Sequence, residues 1–211
     1  MAEASLTIKV KSFSPSISIG PKLIPIPDIF CAVNADDEDI KSNILSNINK
    51  DVPQVVPYET QWDKVVALVV GGPSLDSTLD ELKEKHEDGM PVVTVNGSYK
   101  YCMDRGIRPS AFIMLDSREF NNRFIDPPHK ECKYFICSQC HPSVLDKLEG
   151  YDARIWHCAG QDQYQDILEN KYGEIHKDFF PILGGSTVTL RAIHLMRMLG
   201  FPKFEIFGFD S

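Results

Sequence analysis

An uninterrupted apolar run, Val65-Val66-Ala67-Leu68-Val69-Val70, breaks abruptly into Gly71-Gly72-Pro73-Ser74-Leu75-Asp76. Six apolar residues without polar alternation predict a strand buried on both faces, as in a parallel sheet. The glycines then predict a tight turn whose backbone N–H groups point to one place, where a phosphate or other anion can sit. A Gly-Gly-Pro-Ser turn can equally be only a turn. It is neither G-x-G-x-x-G nor a Walker A loop, because no Gly-Lys-Ser/Thr follows.

From Trp62 onward the pattern repeats. Strands are expected at 65–70, 91–95, 111–115, 133–137, 153–157 and 203–207, with helices at 76–87, 98–105, 142–149, 161–172 and 186–199. This alternation predicts an α/β, Rossmann-like domain, a mostly parallel sheet with helices on both faces. Ser77 with Asp80 resembles a capping pair for the first crossover helix. The helix at 186–199 is apolar nearly all round, apart from Thr187, Arg191, His194 and Arg197, and is expected to be central and largely buried.

Residues 1–60 read differently, as an N-terminal extension and linker ahead of a domain spanning 61–211. Leu6, Ile8 and Val10, and then Ile17 and Ile19, alternate with polar residues as in a small half-exposed hairpin. Prolines 21, 25 and 27 mark an irregular crossing. Asp36-Asp37-Glu38-Asp39 opens a helix that carries Ile40, Ile44, Leu45 and Ile48 on one face, and these acids read as helix capping rather than as a metal site. Pro53 and Pro57 frame the linker. The stop at Ser211, straight after an apolar strand, reads as a C-terminal truncation.

Charge and motifs exclude several classes. A net charge of −8 argues against broad contact with a nucleic-acid backbone or an anionic membrane. No apolar run approaches the ~20 residues that span a bilayer. The N-terminus lacks a secretory pattern, so the six cysteines read as reduced thiols in a cytoplasmic compartment. Cys137-Ser138-Gln139-Cys140-His141 matches the haem-attachment pattern, but that chemistry requires export. Zinc on Cys137, Cys140 and His141, with Cys132 or Cys158, would need ligands from opposite pleats. Buried thiols are the simpler reading, with neither haem nor zinc expected.

In open parallel sheets, ligands bind beyond the C-terminal ends of the strands. Those ends deliver Gly71, Gly72, Pro73 and Ser74, then Asn96, Gly97 and Ser98, then Asp116, Ser117 and Arg118. Further on come Ser138, Gln139 and His141, and finally Gly208 and Asp210. Gly184, Gly185, Ser186 and Thr187 open the last helix with free N–H groups and two hydroxyls. Asn96-Gly97 is also a common turn dipeptide, and glycine before a helix can serve close packing alone. An acid placed like Asp116 can hold Mg²⁺ or a ribose hydroxyl. Two glycine-rich helix starts in one domain favour a nucleotide or similar phosphate ligand, and both turns are expected at one shared cavity.

The ordered set Val69-Val70-Gly71-Gly72-Pro73-Ser74-Leu75, Val95-Asn96-Gly97-Ser98 and Leu115-Asp116-Ser117-Arg118 resembles the 6-hydroxymethylpterin diphosphokinase MptE-like family. So do Gly184-Gly185-Ser186-Thr187-Val188 and the stretch from Leu199 to Phe207-Gly208-Phe209-Asp210. The likeness spans residues 38–211. The family is similar to motility accessory factors and, distantly, to the family 42 sialyltransferases. The resemblance implies a transferase that binds ATP or a cytidine nucleotide and a small-molecule or sugar acceptor, with Mg²⁺ and possible homo-oligomers. Gly71, Gly72, Pro73, Ser74, Asn96, Gly97, Ser98, Gly185, Ser186 and Thr187 would then bind the nucleotide. Asp116 and Asp210 would be catalytic, with the metal on Asp116. A diphosphokinase would move diphosphate from ATP to a hydroxymethyl group. The alternatives are glycosyl transfer from a nucleotide-activated sugar, and a non-catalytic nucleotide- or glycan-binding module. Both related activities usually draw on residues after the last strand, where this chain ends.

Overall fold

The computed structural model describes residues 35–159, 162–175, 177–185 and 187–210, with the backbone of two strands before them. Two compact units divide between Asn34 and Ala35. In the first, β1 (Ser16–Ile19) pairs antiparallel with β2 (Lys22–Pro25), Ser16 opposite Pro25 and Ile19 opposite Lys22. The alternating stretch from Leu6 to Val10 lies outside the described residues. Pro25 sits inside the hairpin rather than in an irregular crossing, at the end of its strand, where no ladder donor is needed.

The second unit contains α1 (Asp37–Asn47) as well as the alternating region, so the helix read as extension is packed into the domain. Six strands form one sheet: β3 (Val65–Val69), β4 (Val92–Val95), β5 (Ala111–Met114), β6 (Lys133–Cys137), β7 (Asp152–Trp156) and β8 (Lys203–Phe207). Their order is β7-β6-β5-β4-β3-β8, and every pairing is parallel. All six strands expected from the apolar runs are present, which makes the domain a Rossmann-like α/β sheet. β3 carries Val66, Ala67, Leu68 and Val69 at 0% exposure, the burial that its unbroken apolar run requires. Each of the valine and leucine side chains contributes about 1.5–3 kcal/mol relative to exposure in water.

The two faces of the sheet carry separate cores. Ala67, Val69 and Val92 pack with Leu82 of α2 (Leu79–Glu87) and Cys102 of α3 (Ser98–Met103). Val66, Leu68, Val93 and Val95 belong instead to the cluster that contains Ala192, Leu195 and Met196 of α6 (Val188–Met198). α6 is not buried all round. Leu190, His194 and Arg197 are exposed, so it lies along the sheet as an ordinary amphipathic helix. The first crossover differs in detail too. A 3-10 helix, Pro73–Thr78, precedes α2, and the Ser77 hydroxyl bonds back to the Ser74 carbonyl instead of capping with Asp80. Two further helices, α4 (Ser143–Lys147) and α5 (Asp162–Tyr172), flank β7 in the chain.

The segment after α1 runs against the outer edge of β7. Val55 N–H donates to Ile155 O at 2.8 Å, and Ile155 N–H to Pro53 O at 2.9 Å. α1 buries Ile40, Ile44 and Ile48 with Tyr164, Leu168 and Phe179. Its polar contacts are unexpected. Leu45 is 41% exposed, while Asn43 and Asn47 turn inward. Asn43 Nδ2 donates to the Ser117 and Gln139 carbonyls, and Asn47 Nδ2 to those of Ser138 and Cys140. α1 is therefore fastened over the C-terminal ends of β5 and β6. Among the described residues, no helix is long and apolar enough to cross a membrane.

Candidate functional site

β3 pairs with β4 on one side and β8 on the other. The β3–β4 connection runs through α2, while β8 is reached through α6, which packs on the opposite face. The chain thus reverses direction at β3, and the C-terminal ends of β3 and β8 form the crevice where open α/β sheets bind ligands.

That crevice is built from both sides. Val70 N–H donates to Phe207 O, and Gly72 N–H donates to Gly208 O, each at 2.8 Å, extending the β3–β8 ladder into the turn. Ser74 N–H then donates to Asp210 Oδ2 at 2.8 Å. Ser74, through its hydroxyl and its N–H, holds the Asp210 carboxyl below the usual carboxylate value. Gly72 is glycine for a steric reason. A Cβ there would lie 2.5 Å from Gly208 O and collide with the Asp210 carboxylate. At Gly71 a Cβ would meet nothing within 4 Å among the described residues, so this residue borders open space.

The open space is a cleft of about 410 Å³, lined by Gly71, Gly72, Pro73, Leu75, Asp76, Gly97, Ser98 and Tyr101. No acceptor among the described residues is bonded to the N–H of Gly71 or Gly97. Tyr101 closes one wall. Its hydroxyl donates to Asp76 Oδ1 at 2.6 Å, and the Arg105 guanidinium lies 3.5 Å from its ring centroid.

The other expected contacts are partly spent on the scaffold. Asn96 adopts φ 46°, and its side chain bonds both backbone groups of Leu115, tying the ends of β4 and β5 together. The Ser98 hydroxyl is buried, accepting from Val95 N–H and lying 2.7 Å from Val69 O, which locks the ends of β3 and β4. Asp116 is not a free acid. Arg118 Nε donates to its Oδ1 at 3.0 Å and Nη2 to its Oδ2 at 2.8 Å, a bidentate pair. Burial pushes the Asp116 carboxyl up, but Arg118 outweighs this and leaves it below the usual value.

Gly185 and Thr187 do not line the cleft. Thr187 caps α6, its hydroxyl accepting Leu190 N–H at 3.4 Å. Ile182, just before the Gly184–Gly185 turn, bridges Cys158 beyond β7, the edge strand farthest from β8. The cleft after β3 and β4 is thus lined without the Gly184–Gly185 turn. Ser186 lies outside the described residues.

The Cys137-to-His141 motif is occupied by packing. Cys137 Sγ lies 3.5 Å from Cys158 Sγ, and Cys140 Sγ 3.5 Å from Met114 O, where burial pushes the Cys140 thiol up to about 12. His141 Nδ1 bonds the Ser143 hydroxyl at the start of α4. Among the described residues, no three His, Cys, Asp or Glu side chains are grouped to hold a metal. For Mg²⁺, Asp116 fits poorly because Arg118 occupies both its oxygens. Asp210 and Asp76 are exposed beside the cleft.

A family model described as 6-hydroxymethylpterin diphosphokinase MptE-like matches residues 39–211. This chain belongs to the MptE-like family. The match begins inside α1, in keeping with the packing of that helix into the domain. Among solved structures, the MptE-like chain is similar to the MAf glycosyltransferase from Magnetospirillum magneticum AMB-1, with a TM-score of 0.64 at 18% identity. The similarity covers 81% of this chain and 27% of that one, so the chain spans about a quarter of the neighbour's length. No curated protein matches the chain. The MptE-like family description points to a transferase-type function, and the neighbour shares the fold.

Proposed function

We propose that this MptE-like protein binds a nucleotide with its phosphates in the cleft between Gly71–Asp76 and Gly97–Tyr101, and transfers a group from it. The observation that carries this reading is the pair of glycine turns after β3 and β4, which open on one cleft at the reversal point of the sheet. Gly71 and Gly97 offer unbonded N–H groups there, and the absence of a side chain at Gly71 lets phosphate oxygens approach the backbone. Such transfer needs positioning and charge neutralisation more than covalent help from the protein. Asp210 and Asp76 would hold Mg²⁺ against the phosphates, Mg²⁺ commonly being bound through one or two carboxylates plus substrate phosphates. Asp116 would act through Arg118, orienting the guanidinium rather than carrying the metal.

Two reactions fit this site. The family description favours transfer of diphosphate from ATP to a hydroxymethyl acceptor. The MAf neighbour's description favours glycosyl transfer from a nucleotide-activated sugar. A thermal-shift panel of ATP, GTP, cytidine monophosphate and sugar nucleotides, each with and without Mg²⁺, separates them. A ligand at 100 times its dissociation constant stabilises by about 2.7 kcal/mol, a shift of several degrees. A response to ATP with Mg²⁺ supports the first reaction, and a response to cytidine or sugar nucleotides supports the second. Silence across the panel removes nucleotide binding.

A further inference from the structure

Beyond β5 the chain forms a 3-10 helix, Glu119–Ile125, whose side chains make an arrangement that the nucleotide cleft does not use. Phe120 is 53% exposed. The Arg118 guanidinium lies 4.9 Å from its ring centroid, and the Arg123 guanidinium lies 5.4 Å from it and 5.8 Å from that of Phe124. The Phe124 ring in turn touches Gly97, since a Cβ there would stand 3.3 Å from it. A continuous row therefore runs from the cleft wall at Gly97 through Phe124, Arg123 and Phe120 to Arg118 and Asp116.

The charges along that row are not balanced. Arg118 is neutralised by Asp116. Arg123 has no acidic partner within 4 Å among the described residues. A chain with a net charge of −8 thus keeps an uncompensated guanidinium beside an exposed aromatic face, directly next to the candidate nucleotide cleft. Scattered exposed hydrophobics need no explanation, but a ring flanked by two cations, one of them unpaired, combines a stacking surface with an anion receptor.

We infer that Phe120, Arg123 and Phe124 form the subsite for the second substrate, and that this substrate carries an anionic carboxylate or phosphate group next to a flat ring. The ring stacks on Phe120 and the anion meets the Arg123 guanidinium. Arg118, fixed by Asp116, keeps its guanidinium 4.9 Å from the Phe120 ring centroid. This inference rests on reading the neighbouring cleft as the nucleotide site, which makes the row beside it the acceptor side.

Phenyl phosphate is the minimal probe, with inorganic phosphate and phenol as its two halves. Titrations followed through the arginine Nε–H resonances of the full chain should show phenyl phosphate binding at least about tenfold tighter than either half. They should also show the Arg123 signal moving. Arg123→Gln and Phe120→Ala, both at exposed positions, should each remove that preference while the melting temperature stays within about two degrees of the parent. Arg123→Lys should retain phosphate binding and, with Phe120 in place, the preference for the ring, since the cation is kept. Equal binding of phenyl phosphate and inorganic phosphate, or an unchanged preference in Arg123→Gln, overturns the subsite. Loss of every nucleotide response with the phenyl phosphate preference intact overturns the nucleotide reading instead, so the two failures are distinguishable.

Discussion

The Ser74 N–H donates to the Asp210 carboxylate at 2.8 Å, so the turn that opens the cleft is fastened to the acid that follows β8. A donor that sequence reasoning assigns to a ligand's phosphate is already taken by the protein's own anion. Because the Asp210 pKa is lowered in the folded protein, this contact stabilises at pH values above the ordinary 3.8 and is lost as the pH falls through the depressed value. At neutral pH the carboxylate is charged and repels a bare phosphate. We expect Asp210→Asn to raise Mg²⁺-free ATP affinity roughly fourfold, the effect of one unit charge across ~5 Å of water. Mg²⁺ should then improve binding less than it does in the parent. Calorimetric titration with and without Mg²⁺ measures both quantities. Equal Mg²⁺-free affinities in the two proteins would separate Asp210 from the phosphate site.

Gly71 and Gly72 should respond differently to the same change. At Gly72 a new Cβ runs into the Gly208 carbonyl and the Asp210 carboxylate, and backbone atoms cannot yield as a flexible side-chain tip can. Gly72→Val should therefore cost about 1–3 kcal/mol of stability along with any loss of binding. Gly71 borders open space, so Gly71→Val should melt within a degree or two of the parent while blocking the cleft. Denaturation curves and nucleotide thermal shifts on the two variants test this contrast. A Gly71→Val protein that binds nucleotide normally would move the ligand out of the cleft.

The inner strands β3 to β6 were legible because a doubly covered parallel strand is almost wholly apolar, whereas the edge strands β7 and β8 also carry Asp152, Arg154, Lys203 and Glu205. The turns after β3 and β4 were legible for a related reason, since glycine there answers a close approach. What the residues do inside those turns was not. Asn96 and Ser98 carry hydroxyl or amide groups suited to a ligand, yet each satisfies backbone groups left unpaired where neighbouring strands end. Asp116 looked available because the fork of Arg118, two residues on, closes only when the chain turns. α1 misled in the opposite direction. Hydrophobic periodicity turned Leu45 inward and left Asn43 and Asn47 unused, because the carbonyls they serve lie more than 70 residues away.

Asn47 should therefore matter more than its polar identity implies. Its amide serves the Ser138 and Cys140 carbonyls, both beside the buried end of β6. Asn47→Ala removes both bonds and leaves buried acceptors unsatisfied, which we expect to cost about 2–4 kcal/mol. Leu45→Ala, on the exposed side of the same helix, should stay within about 0.5 kcal/mol. Urea unfolding of the two variants gives the comparison. Equal losses would mean that α1 is held by its apolar face alone.

His157 sets an acid limit on the domain. It is 1% exposed, neither ring nitrogen has a hydrogen-bond partner among the described residues, and the rings of Tyr172 and Phe179 lie 4.7 and 5.9 Å away. Burial lowers its pKa from 6.5 to about 3. The folded state therefore keeps the imidazole neutral while the unfolded chain takes up a proton below 6.5, so stability falls with pH between 6.5 and about 3. At pH 4.5, two pH units below the unfolded value, the loss amounts to about 2.7 kcal/mol. His157→Phe keeps an aromatic ring in the same cage and removes the titrating group. Carboxylates titrate equally in both proteins, so the difference between them isolates the histidine. Urea midpoints at pH 7 and pH 4.5 should show the parent losing about 2–3 kcal/mol more than the variant. Parallel losses would place a compensating partner beside the ring.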